Sequence, residues 1–121
     1  MNLKDISIEN ISDMLKRVRK RALEKQIPFD LTKDWYLEKL SLGVCEETGI
    51  TFDLGPYNPS KGVPPHRPTI DRVDSSKGYT IDNCKLVVMI YNQAKNDKTK
   101  EELLKWGTKF IERYENETLL G

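Results

Sequence analysis

A chain of 121 residues is long enough for one domain with a modest core. Hydrophobic residues make up 37% and charged residues 32%, yet the formal net charge is only +1, which excludes a uniformly basic coat and leaves any phosphate binding to local patches. Two cysteines and one histidine cannot furnish a four-ligand zinc site, and no apolar run approaches the ~18 residues of a membrane span.

Ile8, Ile11, Leu15, Val18 and Ala22 recur at three- and four-residue steps, which predicts an amphipathic helix from Ile8 to Lys25. Its other faces carry Lys16, Arg17, Arg19, Lys20 and Arg21. Such a run is either a solvated face or one that touches nucleic-acid phosphates. Pro28 is expected to end the helix by removing a donor, with Phe29 and Leu31 tucked into the core. Thr32 is a natural N-cap for a second helix through Trp35, Leu37, Leu40 and Leu42, which Gly43 terminates. Among leucines at helical spacing, Trp35 and Tyr36 read as core rather than as platforms for bases.

Cys45 and Thr48-Gly49 predict a tight turn, followed by Ile50, Phe52 and Leu54 alternating as a short strand. Cys45 reads as a small buried apolar residue, Thr48 as a hydrogen-bonding turn residue, and Glu46 and Glu47 as solvated. Five prolines and two glycines between Gly55 and Pro68 predict an irregular loop, to which Lys61, His66 and Arg67 give a positive tip.

The most informative stretch runs from Pro68 to Lys95. Thr69 to Val73 alternates as a strand, and Asp74 to Gly78 forms a turn that Asp74 is expected to cap. Asp82-Asn83 turns again, Cys84 to Val88 is a second strand, and Met89 to Lys95 suits a helix. That order places Asp71 on the hairpin and Asn92 on a helix packed across it. A facing carboxylate and carboxamide are suited to a hydrated divalent cation that also touches a phosphate. Thr99, with Glu102 three residues on, opens a last helix to about Glu115. Leu103, Leu104, Trp106, Phe110, Ile111 and Tyr114 give it an apolar face expected to pack on the core.

Cys45-Glu46-Glu47-Thr48-Gly49, Pro68-Thr69-Ile70-Asp71-Arg72-Val73-Asp74, Gly78-Tyr79-Thr80-Ile81-Asp82-Asn83 and Asn92 with Lys95 together resemble the HNH (ββα-metal) nuclease superfamily. The likeness is to a branch common in phages and covers roughly residues 40 to 97. It implies an α+β fold: a ββα-metal core over residues 44–97, a helical part over 1–43 and a C-terminal helix over 98–121, all in one domain. It also implies a DNA endonuclease in which Asp71 and Asn92 hold Mg²⁺ or Mn²⁺ and Asn83 pins the loop between the strands. Thr48 stands where zinc-bearing relatives place a second cysteine, so no structural zinc is expected.

One departure bears on catalysis. Arg72 follows Asp71 where the superfamily has the histidine that activates water, and a guanidinium stays protonated. Arg72 is suited instead to clamping a phosphate. The water is then expected to be activated by His66, secondarily by Tyr79 or Asp74, or by solvent. Lys77, Lys85 and Lys95, with the Lys16–Arg21 run, are expected to contact the DNA backbone. The alternative function is an inactive HNH-like module that binds DNA or a protein partner, in keeping with Arg72 and the balanced charge. With no signal peptide in the sequence, the expected compartment is a reducing cytoplasm, that of a bacterial host if the chain is phage-derived.

Overall fold

The computed structural model describes residues 8–120, and the fold is mixed α+β. The elements run α1 (Ile8–Lys25), α2 (Lys33–Ser41), a 3₁₀ turn (Pro59–Lys61), β1 (Pro68–Arg72), β2 (Cys84–Val88), α3 (Met89–Lys95) and α4 (Lys100–Leu120). β1 and β2 form an antiparallel pair with Asp71 opposite Lys85 and Arg72 opposite Cys84. Leu86, Val87 and Val88 are fully buried, so β2 is the centre of the core. Ile11, Leu15, Val18 and Ala22 of α1 join Trp35, Tyr36 and Leu40 of α2 in the same core. The hydrophobic stripe read along α1 is thus its packing face.

Capping follows local chemistry. Trp35 N–H donates to Thr32 Oγ1 at 3.1 Å, which caps α2, and Gly43 leaves that helix at φ 76°. The end of α1 differs from expectation. Gln26 takes φ 57°, its N–H reaches the Leu23 carbonyl at 3.2 Å, and Ile27 N–H reaches the Ala22 carbonyl at 2.9 Å. This is a Schellman closure that stops α1 ahead of Pro28, with glutamine in a conformation that favours glycine. Gln26→Gly is therefore expected to raise the unfolding free energy by about 0.5–1 kcal/mol, read as a higher midpoint in urea with an unchanged slope.

Three further expectations are corrected. Ile50 to Leu54 forms no regular strand: Val44 and Thr51 make one isolated bridge, and Cys45 and Gly49 close the turn between them. Alternation without a second partner edge yields no ladder. Glu46 and Glu47 are not solvated side chains, since Glu46 Oε1 accepts the Leu86 N–H at 3.1 Å and Glu47 pairs with Lys85 and Lys100. The apolar face of α4 does not lie on the core, because Phe110 is 73% and Tyr114 64% exposed. The helix also runs to Leu120, past the expected end near Glu115. Cys45 and Cys84 are both buried free thiols, and burial pushes Cys84 up to about 12.

Candidate functional site

Asn83 ties the hairpin. Its Nδ2 donates to the carbonyls of Gly78 (2.8 Å) and Asp74 (3.1 Å), while its Oδ1 accepts the Asp74 N–H at 3.1 Å. Asp74 Oδ1 in turn accepts from Ser76 N–H at 2.9 Å and Ser76 Oγ at 2.6 Å. These bonds to Ser76 hold the Asp74 carboxyl below its ordinary range. Its accepting capacity serves the turn. Gly78 passes under the α1–α2 connection, where an added Cβ would stand 2.5 Å from the Pro28 carbonyl oxygen. Tyr79 N–H donates to that same carbonyl at 2.9 Å, so the hairpin is sewn to the helical part.

β1 and α3 then bring the central residues together. Asp71 is 3% exposed, and Lys95 Nζ, itself buried, donates to Asp71 Oδ1 at 3.0 Å and to the Arg72 carbonyl at 2.9 Å. Burial raises Asp71 above the usual carboxylate range, and the Lys95 ammonium offsets only part of that rise. Asn92 lies three residues before Lys95 and so on the same side of α3. A lysine that is 1% exposed and bonded to Asp71 cannot also reach a DNA backbone, so the expected phosphate contact at Lys95 is corrected. Lys85 is likewise engaged by Glu47.

A cleft of about 910 Å³ opens between α1 and this ββα unit. Arg17, Arg21 and Lys25 line it from α1, Tyr57 and Arg67 from the loop, Asp71 and Arg72 from β1, and Asn92 from α3. Arg17, Arg21 and Lys25 follow one another at four-residue steps, so they form one ridge of the helix. Arg67 lies over the Tyr57 ring at 4.9 Å and donates to the carbonyls of Asp53 and Gly55, which fixes the loop as a wall. Arg72 lies over the Tyr79 ring at 4.7 Å and donates to the Lys77 carbonyl at 3.1 Å.

The sequence-predicted residues divide accordingly. Asp71, Arg72, Asn92, Arg17 and Arg21 share the cleft, and Asn83 supports it from within the hairpin. His66, exposed on the loop, is not part of its lining, nor are Lys16, Arg19, Lys20 and Lys77. Lys25 and Tyr57 were not singled out by sequence reasoning. The four-residue step from Arg21 was the signal for Lys25, whereas nothing in the sequence sets Tyr57 beside Arg67.

Behind Asp71 lies a second charged group, in which Glu47 meets Lys85 and, at 3.4 Å, Lys100. Burial pushes Glu47 up, but the two ammonium groups outweigh it and leave the carboxyl below its ordinary range. A depressed acid stabilises the fold fully above its unfolded-state value and loses that contribution as pH falls through the folded one. Below about pH 4.5 the wild type should thus lose stability that Glu47→Gln, already without it, does not lose. Urea midpoints measured from pH 7 to pH 3 should show the two curves converging.

Donor chemistry limits what metal the cleft suits. Among the described residues no three His, Cys, Asp or Glu side chains gather closely enough to hold an ion. A carboxylate at Asp71 and a carboxamide at Asn92 fit an oxygen-liganded cation that keeps most of its waters, as Mg²⁺ does, and do not fit zinc. No helix among the described residues is long and apolar enough to cross a membrane. Comparison of the chain with protein-family models, curated proteins and solved structures gave no match.

Proposed function

We propose that the chain is an HNH-like, metal-dependent endonuclease whose arginine-bordered cleft binds DNA through its phosphates. The observation that carries this reading is that Asn92 and Lys95 share one side of α3 while Lys95 bonds Asp71, so that Asp71 and Asn92 line one cleft with Arg72. Lys95 holds Asp71 Oδ1, which leaves Oδ2 to a divalent cation with the carboxyl orientation already fixed. When bound, Mg²⁺ or Mn²⁺ would polarise the scissile phosphate and the departing oxygen. Arg72, kept in place by Tyr79 and the Lys77 carbonyl, would draw a phosphate into the cleft and offset charge building on it. Arg17, Arg21 and Lys25 would hold the neighbouring backbone. The cytoplasm of a host cell is the setting that this function implies.

A second reading, a module that binds DNA without cutting it, is favoured by one observation. Arg72 occupies the base position, and His66 stands outside the cleft lining. One assay separates the two. Purified protein is incubated with supercoiled plasmid in Mg²⁺, Mn²⁺ or EDTA, beside Asn92→Ala, which leaves the Asp71–Lys95 pair intact, and Asp71→Asn. The nuclease reading expects metal-dependent nicking that falls at least ~100-fold in both variants and is unchanged in His66→Ala. Plasmid retained on the protein but uncut with every metal would leave the binding reading.

A further inference from the structure

Among the described residues only the start of α4 meets the body of the fold, through half-buried Leu103 and the Lys100–Glu47 pair. Leu104, Trp106, Phe110, Ile111 and Tyr114 are between 49% and 73% exposed, and at the helical repeat all five lie on one side. With five side chains of ~200 Å² each about half exposed or more, this face offers about 600 Å² of mostly apolar surface. That is the top of the range for a monomer, and two such faces supply the roughly 1,200 Å² at which specific interfaces begin.

Gly107 sits in the middle of this face and of the helix. A mid-helix glycine costs about 1 kcal/mol against alanine, so it calls for a close approach to account for it. Among the described residues there is none, because a Cβ at Gly107 would meet nothing within 4 Å. One turn further on stands Phe110, at 73% the most exposed large apolar side chain among the described residues. A notch and a knob three residues apart on one face are complementary to themselves when two copies of the helix run antiparallel about a two-fold axis.

We propose that α4 is the self-association surface of this protein, with Phe110 of each copy seated over Gly107 of the other. The same register sets Trp106 against the other copy's Ile111. Neither pairing depends on what the cleft binds.

The test is sedimentation equilibrium of the full chain over a dilution series reaching about 100 μM, with circular dichroism to show that each variant is folded. A monomer–dimer equilibrium is expected for the wild type. Phe110→Glu should weaken it at least ~100-fold and Gly107→Leu at least ~10-fold, although the leucine favours the helix itself. A wild type monomeric across the series overturns the proposal. So does a dimer indifferent to both Phe110→Glu and Gly107→Leu.

Discussion

Replacing Lys95 by methionine is expected to destabilise the fold by about 3–5 kcal/mol, a larger loss than any surface substitution would cause. Methionine keeps most of the buried stem and removes the ammonium, so the loss reports charge rather than volume. Asp71 is then a buried carboxylate with its partner gone, and the Arg72 carbonyl loses the donor that reached it at 2.9 Å. In a thermal melt the midpoint should fall by ~10 °C or more. The double replacement Asp71→Leu/Lys95→Met should lie much closer to wild type, since a buried pair exchanged for apolar groups is often neutral. A double-mutant cycle that gave additive losses would show that the two residues do not act as a pair. The pH dependence has a definite sign. Burial already raises Asp71 above the ordinary range with Lys95 present, and without it the carboxyl rises further. An acid raised in the folded state is a deficit at high pH that is relieved as pH falls through its folded value. The gap between Lys95→Met and wild type should therefore narrow on acidification.

Lys95 also shows where sequence reading stops. A lysine near the end of a helix reads as solvated or as a phosphate contact, and its burial depends on Asp71, 24 residues earlier. The same holds for Glu47, which is fixed by Lys85 across 38 residues. Both are through-space partnerships, and hydrophobic periodicity carries no trace of them. What periodicity does encode came through. The bounds of α1, β2 and α3 match the structure because each rests on a repeat or a turn signal within a few residues. The turn at Asn83 was legible for the same reason, whereas its pinning of the loop was implied only by the resemblance. Ile50 to Leu54 alternates like a strand, but a strand also needs a partner edge, and the chain supplies one bridge there. For α4, the pattern correctly gave an amphipathic helix. Amphipathicity says that a face must be covered but not by what.

Neutralising the ridge of Arg17, Arg21 and Lys25 as a triple glutamine variant should cut DNA affinity by about 100-fold at physiological salt. The comparison that makes this informative is Lys16, Arg19 and Lys20 changed in the same way. Both triples take the formal net charge from +1 to −2, that is +1 minus three, so any effect of overall charge is matched. They differ in place, because Arg17, Arg21 and Lys25 line the cleft and the other three do not. A cation withdrawn from a phosphate should flatten the plot of log affinity against log salt by about 0.9, so withdrawing three takes about 2.7 from the slope. The outer triple should change it by less than ~1. Measuring in EDTA keeps hydrolysis out of the titration, so the result bears on where DNA lies whether or not the chain cuts it. Glutamine retains helix propensity, and all three cleft side chains project from a helix whose packing face is Ile11, Leu15, Val18 and Ala22, so both triples should fold. Equal losses from the two triples would mean that α1 attracts DNA by charge alone, with no bound position. A larger loss from the outer triple would place the DNA on the opposite side of α1 and empty the cleft of the role proposed for it. The expected asymmetry, with the cleft triple losing both affinity and slope, is the outcome that ties the basic helix to Arg72, Asp71 and Asn92 as one surface.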